Sequence, residues 1–84
     1  MVEVVLRFDR SVASRVAETT WHPTQTLARN ADGSLAWRAR VSGTLEIRPW
    51  ILGWGADVEV LEPEALRTEI GEIVQASAAR YPRG

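Results

Sequence analysis

All ten basic residues of this 84-residue chain are arginines, and several of them are placed to bind an anion. Arg38 and Arg40 lie two apart in "LAWRARV", and Arg7 lies in "VEVVLRF". Residues two apart on a strand project to the same face. A guanidinium group there can donate paired hydrogen bonds to a phosphate or carboxylate. The candidate ligand-binding residues are Arg7, Arg38, Arg40 and Arg29. The alternative is a solvated face on which Glu3 and Glu59 pair with the arginines.

No constellation of side chains predicts catalysis or a metal site. His22 is the single histidine. No nucleophile, carboxylate or set of metal ligands lies near it at a spacing that is typical of a catalytic or metal-binding motif. The chain has no cysteine, which excludes disulfides, thiolate metal sites and cysteine nucleophiles. The stretch "GWGAD" lacks the lysine and the spacing of a P-loop. We therefore expect no enzymatic activity, no metal and no cofactor, with His22 as a structural imidazole.

The four tryptophans could form a stacking platform for bases or the core of a small domain. Trp37 alternates with Arg38 and Arg40, so it is predicted to face the core. In "EIRPWILGWG", Trp50 and Trp54 suit the apolar side of a short helix, with Pro49 in its first turn and a glycine at its end. The core interpretation is favoured for these three residues. Trp21 and His22 are assigned to a possible interface.

Four strands are predicted from alternation and turn residues. They cover 2–8, about 24–29, about 34–42, and 57–62. In the first, Val2, Val4, Leu6 and Phe8 share one face. Between the second and third, the Asp32–Gly33 step predicts a hairpin turn.

Three helices are predicted to complete the chain. Asp9 or Ser11 can cap the first, which buries Val12, Ala13, Val16 and Ala17. The second surrounds Trp50, and Pro63 opens the third. Leu66, Ile70, Ile73, Val74 and Tyr81 form an apolar stripe on the third helix. A domain of this size is marginally stable alone, so we expect a weak homodimer, formed through this helix or through the face of the sheet that the helices leave open. The helix residues assigned to the possible interface are Leu66, Ile70, Ile73 and Tyr81.

The element order is strand, helix, strand, strand, helix, strand, helix. The first six elements match the ferredoxin-like, or split βαβ, arrangement. The predicted fold is therefore an α+β sandwich (βαββαβ) with an added C-terminal helix. In that fold the first and third strands are central and both helices cover one face. Arg7, Arg38 and Arg40 would then converge on the uncovered face, with Val5 among them.

The composition is that of a soluble globular protein, with 45% hydrophobic and 25% charged residues. A formal net charge of −1 argues against a general DNA-coating protein. No apolar run approaches the ~18 residues of a membrane span, and the N-terminus lacks a signal-peptide pattern. We expect one cytoplasmic domain spanning residues 1–84, which is a fragment of a longer protein.

Several motifs together resemble the C-terminal extension (WCX) domain of WYL-domain bacterial transcriptional regulators. They are the Trp-His-Pro-x-Gln run at 21–25, the Asp-Gly turn at 32–33, the Trp-Ile-Leu-x-x-Gly block at 50–55, and "VEVLEPEALR" at 58–67. The similarity extends from Val2 to about Tyr81. The winged helix-turn-helix and the WYL barrel of such regulators are absent from this sequence.

The resemblance implies a ferredoxin-like, non-catalytic regulatory domain of a DNA-binding transcriptional regulator. Such a domain contributes to dimerisation and helps to complete an effector site with the WYL domain; for some members the effector is a nucleic acid. The implied partners are the winged helix-turn-helix and WYL domains of the same polypeptide, a second copy, and a nucleic-acid or nucleotide effector. The alternative is a stand-alone ferredoxin-like module that binds a small molecule or nucleotide.

Overall fold

The computed structural model describes residues 1–82, whose elements follow the predicted order. The strands are β1 (Val2–Phe8), β2 (Thr26–Arg29), β3 (Leu35–Val41) and β4 (Val58–Glu62). The helices are α1 (Ala13–Ala17), α2 (Ile47–Gly53) and α3 (Glu64–Ala78), and a 3-10 turn at Gly55–Asp57 joins α2 to β4. Within residues 1–82, no helix combines the length and the apolar character that crossing a bilayer requires.

The strands form one antiparallel sheet in the order β2-β3-β1-β4, so β1 and β3 are the central pair. The chain is therefore an α+β structure with a four-stranded sheet and three helices. Leu6 pairs directly with Trp37, and directly paired residues share a face. Both side chains are 0% exposed, which identifies this face as the core. The residues of the helices packed there, together with Val12 just before α1, are Ala13, Val16, Ile47, Ile51, Leu66 and Ile70.

Val5 is buried although it belongs to the opposite face of β1. It is only 3% exposed, and it pairs with Arg38 on β3 and Glu62 on β4. Long charged side chains can cover apolar neighbours with their aliphatic stems. Val5, an apolar residue on the face that the helices leave uncovered, is therefore shielded from solvent by its charged neighbours.

The predicted hairpin at Asp32–Gly33 is confirmed. Gly33 has a φ of +89°, which a glycine adopts without steric cost. Its N–H donates to the Asn30 carbonyl at 3.0 Å, and the Asn30 N–H donates to the Ser34 carbonyl at 2.8 Å. These bonds match a three-residue hairpin loop, in which a tight turn is followed by a residue in the left-handed region.

The first helix differs from its prediction in two respects. It begins at Ala13 after Val12, without a side-chain cap. Asp9 instead accepts a hydrogen bond from the Ser11 N–H at 2.9 Å, ahead of the helix, so neither Asp9 nor Ser11 caps it. Ala17 is exposed, because a helix of only five residues buries a single turn.

The stretch around Trp50 is a packed helix, as predicted. Ile47 and Ile51 of α2 are 0% exposed. The Trp50 ring lies 5.1 Å from the rings of both Trp21 and Trp37, and it also contacts Phe8 and Trp54. All four tryptophans therefore belong to one aromatic cluster. Trp37 is fully buried, whereas Trp21, Trp50 and Trp54 are partly buried. Of Gly53 and Gly55, either of which could end this helix by its sequence, Gly55 takes the positive φ, at +60°.

The last strand and helix are joined by Pro63, which lies one residue before α3 rather than in its first turn. Leu61 forms an irregularity in the β1–β4 pairing, because Leu6 pairs with Val60 and Val5 with Glu62. Such a bulge bends the strand and interrupts its ladder.

Leu66 and Ile70 of α3 are buried against the sheet. An ion pair of 3.0 Å between Arg48 and Glu69 ties α2 to α3.

Candidate functional site

The face of the sheet opposite the core carries the candidate arginines, and it is called the open face here. Arg38 pairs directly with Val5 and Arg40 with Glu3, whereas Arg7 pairs with Ala36. Paired residues share a face, so the register brings Arg7, Arg38 and Arg40 to one side, as alternation predicts. From the other strands, Thr26 and Ala28 of β2 and Glu59 of β4 face the same way.

The guanidinium group of Arg7 is already bonded to residues of the β2–β3 hairpin. Its Nη2 lies 2.6 Å from an Asp32 carboxylate oxygen, and its Nε donates to the Ser34 hydroxyl at 3.2 Å. The Ser34 hydroxyl and N–H both donate to the other Asp32 oxygen. Those bonds from Ser34, and then Arg7, lower the pKa of Asp32 to about 2. A phosphate would have to displace Asp32 to reach Arg7, so Arg7 is a weak ligand candidate.

The surroundings of Arg7 also disfavour an anion. A cleft of about 360 Å³ beside it is lined by Asp9, Asp32, Asp57 and Glu59, against Arg7 and Arg10 alone. Carboxylates outnumber guanidiniums there, so the cleft repels phosphate. No cluster of carboxylates within residues 1–82 is arranged to hold a metal ion.

Arg38 and Arg40 are the more available cations of the open face. Arg38 lies 3.9 Å from Glu3, and both side chains are more than half exposed, so this pair is weak. Arg40 is exposed and makes no ion pair with any residue in 1–82. Glu59, an expected partner for this face, pairs instead with Arg67 at 2.9 Å. The two neighbouring guanidiniums on β3 can therefore meet a ligand.

Arg29 does not join the other candidates. It pairs with Leu35, whose side chain belongs to the core face, so Arg29 projects away from Arg38 and Arg40. Alternation alone did not assign Arg29 to either face of the sheet, because the end of β2 depends on where the hairpin begins. Its inclusion in a common arginine site is corrected by the register.

The Trp-His-Pro-x-Gln run has a structural role that the sequence did not reveal. The Gln25 Oε1 accepts hydrogen bonds from the backbone N–H of Trp21 at 2.8 Å and of His22 at 3.2 Å. It also accepts one from the buried Trp37 indole N–H at 3.2 Å, while the Gln25 amide donates to the Thr19 carbonyl. One glutamine thus fastens the loop before β2 to the aromatic cluster. In the sequence, Gln25 stood out only as a member of the Trp-His-Pro-x-Gln motif, which does not indicate its hydrogen-bonding role.

Thr24 and His22 extend this arrangement to the edge of the sheet. The Thr24 hydroxyl accepts from the Arg40 N–H at 2.9 Å and donates to the Arg40 carbonyl at 3.1 Å. It thereby extends the β2–β3 ladder to a residue that precedes the start of β2. The His22 Nδ1 lies 2.8 Å from that hydroxyl. These contacts hold His22 in the loop before β2, and Trp21 packs against Trp50.

The possible interface on α3 is narrower than the predicted stripe. Leu66 and Ile70 are 1% and 8% exposed, so they stabilise the domain's own core and are not free to contact a partner. Ile73 is partly buried, while Val74 and Tyr81 are 49% and 79% exposed. The helix ends at Ala78, so Tyr81 lies beyond it and the predicted stripe is corrected there. Ile73 on α3 and Tyr81 after it remain from the predicted interface residues.

In the comparison with protein families, residues 1–78 match the model described as the WCX domain. That family is associated with WYL-domain regulators. No curated protein matches the chain.

Proposed function

This chain belongs to the WCX domain family, and on that premise we propose that it is the non-catalytic regulatory domain of a DNA-binding transcriptional regulator. In this role it contributes to dimerisation and to sensing an effector. It acts with the winged helix-turn-helix and WYL domains of the same polypeptide. The element order, together with the central β1–β3 pair, supports assignment to the ferredoxin-like arrangement.

The observation that carries the proposal is the pair of neighbouring arginines on an uncovered sheet face. Arg38 is only weakly paired and Arg40 makes no ion pair within residues 1–82. Guanidinium groups bind phosphate oxygens through paired, charge-assisted hydrogen bonds. The effector is therefore a phosphate-bearing molecule, either a nucleic acid or a nucleotide. The rest of its site comes from the WYL domain, because a flat face supplies contacts on one side only.

A salt titration of single-stranded oligonucleotide binding tests this proposal. The protein is the polypeptide that joins this domain to its winged-helix and WYL domains, compared with its Arg38→Ala/Arg40→Ala variant. Each phosphate contact contributes roughly 0.7 to the slope of log affinity against log salt for single strands. If each arginine contacts one phosphate, the double variant should bind more weakly, with a slope smaller by about 1.4.

The matched control is Arg15→Ala/Arg80→Ala, which removes the same charge from exposed positions away from the open face. It should leave the slope nearly unchanged. Equal effects of the two double variants would reduce Arg38 and Arg40 to general surface charge. Tight nucleotide binding by the 84-residue chain without a WYL domain would instead favour the stand-alone binding module.

A further inference from the structure

The outer edge of β2 has unused backbone hydrogen-bonding groups. The Asn30 N–H bonds to Ser34, and the Thr24 hydroxyl takes both backbone groups of Arg40. Bonded pairs in an antiparallel ladder recur at every second residue, so Ala28 also directs its N–H and C=O toward β3. Leu27 and Arg29 direct theirs away from it. Within residues 1–82 no loop or side chain occupies those four groups, and all of β2 is exposed.

The other edge of the sheet is blocked. The Arg67 Nη1 donates to the Val60 carbonyl at 2.8 Å and pairs with Glu59 beside it. The irregularity at Leu61 further interrupts the outer ladder. Bulges and covering groups are common means by which proteins prevent edge-to-edge pairing. Over Thr26–Arg29, by contrast, there is neither a proline nor a register shift.

We propose that β2 pairs antiparallel with β2 of a second copy about a two-fold axis at Ala28. This inference rests on the dimerisation part of the proposed function and names its surface. The axis sets Leu27 of each copy opposite Arg29 of the other, and the four outward groups of each strand then form four backbone hydrogen bonds. An axis at Leu27 would require Gln25, whose N–H is already bonded to the His22 carbonyl at 3.1 Å.

The side chains at this seam permit the pairing. Ala28 lies at the axis, where the facing Cα atoms of a pair without hydrogen bonds approach to about 4.5 Å, and a methyl group fits there. On the helix side, Leu27 is 37% exposed and would pack against the aliphatic stem of Arg29 from the other copy. Because the β4 edge is blocked, pairing through β2 ends at two copies and does not continue into a filament.

The pairing would also unite the two open faces. The sheets join through β2, so the two β3 strands are separated by three inter-strand spacings, or about 14 Å. Arg38 lies beside Thr26, and the axis at Ala28 sets Thr26 opposite Asn30 of the other copy, so the two arginine pairs are also offset from each other along the strands. An extended ligand with several phosphates could then contact Arg38 and Arg40 of both copies.

Cysteine cross-linking tests the interface, since the chain has no cysteine of its own. Three single variants are compared in a thiol redox buffer: Ala28→Cys at the edge, Ala36→Cys one strand inward on the same face, and Val74→Cys on α3. Cα atoms about 4.5 Å apart are within disulfide range. At micromolar protein, Ala28→Cys should form a linked dimer on the order of a hundredfold faster than Ala36→Cys, because association raises the local thiol concentration to millimolar.

Sedimentation equilibrium of the unmodified chain accompanies the cross-linking and separates the possible outcomes. A concentration-dependent dimer with preferential linkage through Ala28→Cys supports the β2 interface. A dimer that links through Ala36→Cys or Val74→Cys overturns the β2 interface and leaves dimerisation intact. A chain that stays monomeric at millimolar concentration removes both the β2 interface and the dimerisation part of the proposed function.

Discussion

The polar side chains of Gln25 and Ser34 hold segments of this small domain together through hydrogen bonds that an apolar side chain could not make. Gln25 accepts three hydrogen bonds through one oxygen, and Ser34 is the centre of the network that joins Arg7, Asn30 and Asp32. Ser34 is 4% exposed. Buried polar groups stabilise a structure only when their partners are present, so single substitutions at these networks have predictable consequences.

Removal of Gln25 should destabilise the domain through the donors that it leaves unpaired. Gln25→Ala leaves the buried Trp37 indole N–H without its acceptor, which costs about 1–3 kcal/mol. Gln25→Glu keeps an accepting oxygen and loses the donor to Thr19, so its effect should be smaller. Urea denaturation of both variants measures the difference. Similar losses for both would mean that the accepting oxygen is not the stabilising feature.

Truncation of Trp37 should be more costly. The side chain is 0% exposed and contacts the rings of Trp21 and Trp50, so Trp37→Ala opens a cavity and is expected to cost about 3–5 kcal/mol. The matched aromatic control is Tyr81→Ala, at a position that is 79% exposed. Its effect on the free energy of unfolding should stay within about 0.5 kcal/mol. A Trp37→Ala loss as small as that of Tyr81→Ala would contradict the register of β3.

Asp32 should make the stability of the domain depend on pH under acidic conditions. Its pKa is lowered from 3.8 to about 2 in the folded protein, first by Ser34 and then by Arg7. A depressed pKa contributes stability that is fully present above the unfolded value and is lost as the pH falls through the folded value. Wild type should therefore exceed Asp32→Asn in stability at neutral pH, with the gap closing between pH 3.8 and about 2. Parallel curves of unfolding free energy against pH would refute this role.

At the scale of elements, two glycines in different elements should respond in opposite directions to the same substitution. Gly33 of the hairpin has a φ of +89°, and a Cβ there would lie 3.2 Å from the Arg10 Cβ. Gly33→Ala should cost about 1–2 kcal/mol. Gly71, in the middle of α3, has no atom within 4 Å of an added Cβ, so Gly71→Ala should stabilise by about 1 kcal/mol. Thermal unfolding of the two variants gives the signs, and a stabilised Gly33→Ala would contradict the hairpin geometry.

At the scale of the whole molecule, the formal charge of −1 limits what the domain can bind alone. Within residues 1–82, Arg7, Arg48 and Arg67 are held in close ion pairs, whereas Arg38 and Arg40 combine availability with proximity on the open face. We expect the 84-residue chain to bind an oligonucleotide weakly, with a log–log salt slope no steeper than about 1.4 per copy. Fluorescence anisotropy at several salt concentrations measures this slope. A slope several times steeper would mean that other arginines contribute.

The sequence by itself determined the properties that depend on local periodicity. Alternation assigned Arg7, Arg38 and Arg40 to one face and Trp37 to the other. The Asp32–Gly33 step located the hairpin. The order of strands and helices followed from the spacing of apolar residues in each segment and from the turn residues between segments. These inferences need only the period of a strand or helix and the backbone preferences of glycine and proline, so a single segment contains all the information that they require.

Only the tertiary structure decided which groups meet. Arg7 and Asp32 are separated by 25 positions in the chain, and their contact removes Arg7 from the available cations. The register placed Arg29 on the other face, and the packing of α3 buried Leu66 and Ile70 while setting Arg67 against the β4 edge. Such contacts depend on distances of a few ångströms between remote segments. The physical reason is that hydrogen bonds and ion pairs form only within about 3–4 Å, a tolerance that periodicity along one segment does not specify.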